Sequence, residues 1–168
     1  MIDREDIVTR RAQASDGEQV AGFVNDALRG RVAIDAQEVT TRMGDVGFFL
    51  AEQDGSLVGL IGWHVEDLVA RVTDLLIRSA RERAKVARTL FGAMESAATE
   101  LYAEAALLIL PRSSGAELVE FCTALGYEEW VVADLPKSWR QTAHEAGRAD
   151  DETMLVKQLR SERVVRPL

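Results

Sequence analysis

The 168 residues contain a single cysteine, Cys122. An intrachain disulfide and a cysteine-based zinc centre are therefore both excluded. Long apolar runs are missing too: no window comes near the ~20 uninterrupted apolar residues of a membrane-spanning helix. The stretch MIDREDIVTRR is charged from its third residue and has no apolar signal core, so a cytoplasmic location is expected. Positive charge is in deficit, with 20 Lys and Arg against 28 Asp and Glu, a formal net charge of −8. That balance argues against a nucleic-acid partner and against an anionic membrane surface. Glycine is absent from Leu75 to Phe91, a region where it would have carried meaning.

What remains is the composition of an ordinary globular chain, 47% hydrophobic and 29% charged. The length suits one domain with a full core, expected over residues 1–160, with 161–168 as a tail. DIVTRRAQ (6–13) reads as a first strand, and Asp16 as the N-cap of a helix over 17–29 that Gly30 stops. A second helix fits 35–44, capped by Asp35 and ended by Gly44. VGFFLAEQDGSLVGLIGWHV is two apolar runs around Asp54-Gly55, a tight-hairpin dipeptide. A further strand fits 68–79 after a turn at Glu66-Asp67. From 82 to 104 the period becomes helical, with Ala87, Leu90, Phe91, Met94, Ala97, Ala98 and Leu101 on one face. AALLILP (105–111) suits a central strand covered on both sides. A helix over 114–125 closes on Gly126. YEEWVVADL and ETMLVKQL read as two late strands bracketing a polar segment with room for a helical turn or more. The last of them is a sheet edge on which a homodimer could pair.

The stretch from Leu75 to Ala98 is a buried strand running through a basic loop into an amphipathic helix. Arg78, Arg81, Arg83, Lys85 and Arg88 face one acid, Glu82, in eleven residues. A positive island in a negative chain suits a polyanionic ligand, and a helix N-terminus offers such a ligand unpaired N–H groups and a positive dipole end. A solvated helix start explains the same charges.

The order β-α-α-β-β-β-α-β-α-β-β resembles the GNAT acyltransferase superfamily over roughly Val8 to Leu159. Three stretches carry the resemblance: the hairpin FFLAEQDGSLVGLIGWHV, the strand-loop-helix at 75–98, and GAELVEFCTALGYEEW with its closing Leu125-Gly126-Tyr127. The resemblance implies an α/β (α+β) fold with a mixed, mainly antiparallel central sheet flanked by helices. It also implies acetyl-CoA as acyl donor, its pyrophosphate held in a loop of the form Q/R-x-x-G-x-G/A at the start of the long helix. Aligning ARTLF with that loop puts Glu82 first, Lys85 at the first glycine and Ala87 at the second. The alternative anchor uses Arg81 and Ala84 and leaves Val86 at the small-residue position. The expected donor-binding set is Leu76, Ile77, Arg78, Arg83, Ala84, Lys85, Val86, Ala87 and Arg88. A non-glycine residue forced into the left-handed region there would cost about 1–2 kcal/mol, roughly a tenfold loss in affinity. Arginine and lysine contacts to phosphate would offset part of it.

Acyl transfer to an amine needs a base for the attacking nitrogen, an acid for the departing thiolate and a donor for the oxyanion. The resemblance puts the oxyanion donor on the backbone of Leu75–Ile77. It puts the base at Asp74, a carboxylate in an apolar strand where family members often carry glutamate; an outward-facing Asp74 sharing a face with Val72 and Leu76 is the bland alternative. His64 is the second candidate because imidazole titrates near neutrality, and Glu66 and Asp67 lie beside it. Family members often use a tyrosine as the acid, but FCTALG has none; Cys122 is the chemically able group, at a spacing from Leu118 and Leu125 that equally suits core packing. Ser113 or Ser114 stands where family members carry a pantetheine-binding asparagine, and capping a helix explains it as well. Trp63, beside His64, is the one tryptophan placed near a site. Two functions remain: an N-acyltransferase acting on a small-molecule or protein amine, and a GNAT-fold binding or regulatory module without catalysis.

Overall fold

The computed structural model describes residues 6–78, 82–111, 116–145 and 152–160. The strands are β1 (Val8–Arg11), β2 (Gly47–Gln53), β3 (Ser56–Glu66), β4 (Val69–Ile77), β5 (Ala105–Pro111), β6 (Glu128–Glu129) and β7 (Glu152–Gln158). The helices are α1 (Gly17–Ala27), α2 (Ala36–Asp45), α3 (Arg83–Glu100), α4 (Ala116–Ala124) and α5 (Lys137–Glu145). The seven strands form one mixed, mainly antiparallel sheet in the order β1-β2-β3-β4-β5-β7-β6, flanked by helices. The β4–β5 pair is parallel.

Local chemistry accounts for most of these boundaries. Asp54 and Gly55 both take positive φ, 52° and 79°, the requirement of the two-residue turn that matches strand twist. The β3–β4 turn falls on Asp67 and Leu68, φ 48° and 66°, one residue later than Glu66-Asp67, because Glu66 still belongs to β3. Gly126, φ 98°, closes α4: its N–H donates to the Thr123 carbonyl and that of Tyr127 to the Cys122 carbonyl, the paired bonds of a Schellman motif. Asp35 caps α2 by accepting from the Glu38 N–H at 2.8 Å.

Several expectations are corrected. Asp16 does not cap α1 with its side chain. Its carboxylate instead accepts two bonds of 2.8 Å from Arg10 and one of 2.7 Å from the Gln13 N–H, and the Arg10 bonds hold it below the usual carboxylate range. Gly44 does not stop α2, which runs on to Asp45. Leu101 lies past the end of α3 and is exposed. YEEWVVADL is a strand only at Glu128–Glu129, then turns into a 3-10 helix at Val132–Asp134. The polar segment holds all of α5, whose Trp139, Thr142 and Ala143 are buried at helical spacing. β7 is flanked by β5 and β6, so at Leu155 and Val156 it is not the free edge expected for dimer pairing. The tail 161–168 lies outside the described residues.

Packing divides the described chain into two compact units, one from residues 1–64 and 73–94, the other from 65–72 and 95–168. The first has Val20, Phe23, Val39, Leu50, Leu57 and Leu60 at its centre, bringing α1, α2, β2 and β3 together. The second is built around Val69, Leu107, Leu135, Trp139, Met154 and Val156.

Candidate active site

Asp74 sits on β4 with a side chain 30% exposed. Three hydrogen bonds converge on its Oδ2: Arg42 Nη2 at 2.7 Å, Arg42 Nε at 3.2 Å and Thr73 Oγ1 at 2.7 Å. The carboxylate lies over β3 where that strand has no side chain. A Cβ on Gly62 would come within 2.5 Å of Asp74 Oδ2, 2.9 Å of Phe48 and 3.0 Å of Thr73 Oγ1. Asp74 is thus directed inward, onto a cavity of about 320 Å3 lined mostly by apolar residues of α1, α2, β2, β3 and β4. Val20, Val24, Val39 and Leu60 supply its wall; Glu38, Arg42 and Asp74 are its charged members. The outward-facing alternative does not hold.

His64 is half-buried, two residues beyond Gly62 on β3 and therefore one pleat further along the same face. Glu66 and Asp67 are exposed. Trp63 is buried, stacks on Phe49 at 6.0 Å and lies against Gly47, where a Cβ would meet its indole ring at 3.3 Å. It lines a second cavity of about 110 Å3 with Arg11, Met43 and Phe48, and Phe48 also borders the cavity beside Asp74.

The end of β4 leads into α3. The Arg78 N–H donates to the Val58 carbonyl at 2.9 Å, and the Leu76 carbonyl lies against Gly59. Backbone groups alternate along a strand, so the N–H groups of Leu75 and Ile77 point to the opposite edge of β4. On that edge the parallel register with β5 covers Val69–Arg71 against Ala105–Leu107. Leu75 and Ile77 lie beyond that register. The side chain of Arg78 does not join them: its guanidinium bonds Asp26 of α1 at 3.2 Å and covers the Phe23 ring at 5.4 Å.

At the start of α3 the helix bonds sort the expected donors. The Val86 N–H already donates to the Glu82 carbonyl at 3.0 Å. Arg83, Ala84 and Lys85, in the first turn of α3, are exposed. Val86 and Ala87 are buried, and a Cβ on Gly59 of β3 would reach Val86 at 2.7 Å and Leu90 at 3.1 Å. Arg88 is exposed one turn further on. No residue from 82 to 88 takes positive φ, so the strain expected for a glycine-free cradle does not fall on them. Arg81, Ser113 and Ser114 lie outside the described residues.

Cys122 is completely buried on α4, and burial pushes its thiol up to about 11. Tyr127 is also buried; its hydroxyl donates to Glu95 at 3.0 Å, and Glu95 accepts from Lys157 at 2.9 and 3.1 Å. Burial first, then Glu95, raises the phenol well above its ordinary value. Both groups are core members of their unit.

Arg42 and Gly62 escaped the sequence reading. Nothing local links Arg42 to an aspartate 32 residues away. Gly62 did carry a signal, since glycine inside a strand marks a close approach by another group.

No protein-family model and no curated protein matches the chain. Solved structures do. An aminoglycoside 6'-acetyltransferase type Ii superposes with a TM-score of 0.69 at 16% identity, covering 95% of this chain and 99% of that one. A GNAT superfamily phosphinothricin acetyltransferase from Sinorhizobium meliloti, in complex with acetyl-CoA, gives 0.69 at 14%, covering 96% and 93%. The PaiA N-acetyltransferase from Thermoplasma acidophilum, in complex with coenzyme A, gives 0.66 at 13%, covering 91% and 99%. Together these likenesses show that this chain has the GNAT N-acetyltransferase fold.

Proposed function

We propose that the chain is an acyl-CoA-dependent N-acyltransferase of the GNAT superfamily, moving an acetyl group from acetyl-CoA to a primary amine. The observation that carries the reading is the run from β4 into α3. It sets the exposed first turn of α3, with the cationic side chains of Arg83 and Lys85, after the β4 residues Leu75 and Ile77. Solved neighbours of this fold hold acetyl-CoA or coenzyme A. The diphosphate is assigned to the α3 first turn, where N–H groups and helix dipole favour an anion without glycine. The thioester carbonyl is assigned to the β4 edge, whose donors would stabilise the oxyanion.

In this scheme residues 1–160 work as a single domain and Asp74 takes the proton from the acceptor's ammonium. The freed nitrogen attacks the thioester carbon, a C–N bond forms, the nitrogen gives its second proton to solvent, the C–S bond breaks and the departing thiolate takes a proton from solvent. Asp74 is preferred over His64 because it lines a largely apolar, half-open cavity large enough for an acceptor. Cys122 is set aside as the acid because its thiol is completely buried and raised to about 11. Protonation of the thiolate by solvent requires no residue. The lack of a tyrosine acid is also what favours the rival reading, a GNAT-fold binding module.

Acetyl-CoA should raise the melting temperature by mass action, and the double substitution Arg83→Glu, Lys85→Glu should abolish the rise. An unchanged melting curve of the wild type at millimolar acetyl-CoA would remove the transferase reading.

A further inference from the structure

The cavity beside Asp74 has a charge pattern that narrows the acceptor. Its apolar wall carries one guanidinium, Arg42, bonded to one inward carboxylate, Asp74, with the exposed Glu38 near them. The pair is not sealed: the Arg42 side chain is 50% exposed and that of Asp74 30%. Such a pair exchanges partners at little cost, because water already screens it.

Resting on the transferase reading above, we propose that the acceptor is a small zwitterionic amino acid with an apolar side chain. Its carboxylate takes Arg42, its ammonium takes Asp74, and its side chain fills the cavity. Each charge released when the Arg42–Asp74 pair opens then meets an opposite charge. A plain amine would take Asp74 and strand Arg42; a plain carboxylate would do the reverse. A zwitterion makes two charge-assisted contacts here where either analogue makes one. The guanidinium fork matches a carboxylate in a way an ammonium would not. About 320 Å3 stands at the small end of ligand pockets, which span ~300–1,000 Å3, so it suits one side chain and not an oligosaccharide. Glu38 adds selection by repulsion, disfavouring acidic side chains. The ammonium placed on Asp74 is the same group the proposed base must deprotonate, so recognition and activation share one contact.

Isothermal titration of the full chain, with and without coenzyme A, tests this using L-leucine, 3-methylbutan-1-amine and 4-methylpentanoate. These share one hydrocarbon skeleton and differ only in charge. L-Leucine should bind, each single-charge analogue about tenfold or more weakly, the worth of one charged hydrogen bond. Arg42→Gln should bring L-leucine down to the amine's affinity, and Arg42→Lys should restore part of it. Amine binding as tight as L-leucine, or an Arg42→Gln variant that still prefers L-leucine, would overturn the inference. So would the absence of heat from all three ligands in a protein that acetyl-CoA stabilises, an outcome that leaves the transferase reading standing. L-Leucine heat without any acetyl-CoA shift would do the opposite, keeping the amino-acid site and removing the transferase.

Discussion

Two polar clusters in this chain use the same chemistry to different ends. Arg42, Asp74 and Thr73 form one in the first unit; Tyr127, Glu95 and Lys157 form the other in the second. Both are a carboxylate held by a cation and a hydroxyl. The first is half open and borders a cavity. The second is closed, its carboxylate and ammonium only 18% and 28% exposed and its tyrosine fully buried. A closed cluster holds structure together because its members have nowhere else to bond. An open one on a cavity can trade a partner for a ligand, as a site requires. Accessibility, and not residue type, separates a plausible site from a structural network here.

The strongest way to break that contrast is Asp74→Asn. On the transferase reading it should lower kcat roughly 100- to 10,000-fold, the range for losing a general base, while the acetyl-CoA melting shift stays. Equal turnover in the variant would transfer the role to His64. Stability sharpens the contrast next. Glu95→Ala strands a lysine and a buried phenol, and urea denaturation should show a loss of about 2 kcal/mol, below the ~3–5 of a fully sealed pair. Arg42→Ala in the same measurement should cost about 0.5 kcal/mol or less. If the two costs were alike, the division into open and closed clusters would fail. The smallest effect concerns Cys122. Its folded thiol is raised to about 11, so the native state holds the proton more tightly than the unfolded chain does. That contribution is complete below the ordinary thiol value of about 8.5 and fades as pH climbs from there to about 11. The wild type should therefore lose stability relative to Cys122→Ala across that window, and the native thiol should resist labelling at about pH 8.

Where the determinant is local, the sequence is easy to read. Asp54-Gly55 must turn because both residues adopt positive φ, and AALLILP is covered on both faces, with the consecutive residues Ala105, Ala106, Leu107 and Leu108 all buried. Gly44 misleads because it adopts no special conformation and a Cβ there would meet nothing, so the helix simply continues. In YEEWVVADL, Trp130 and Val132 do face the core, but from a strand end and a 3-10 turn, which share an apolar spacing with a strand. At the candidate site, Asp74 and the α3 start are visible as residues out of keeping with their surroundings. Arg42 is not, since only the packing of α2 brings it to Asp74. That Val86 and Ala87 are buried while Arg83–Lys85 are exposed also shows only in the packing against Gly59 of β3.

The bare backbone at Gly62 has an implication for how such a protein can change. One added methyl group would reach the inward aspartate, the phenylalanine and the threonine together. Evolution or engineering could therefore silence the pocket without altering any residue that lines it. Attempts to retune acceptor choice are better directed at α1 and α2, where side chains have room to vary while the β3 floor stays empty.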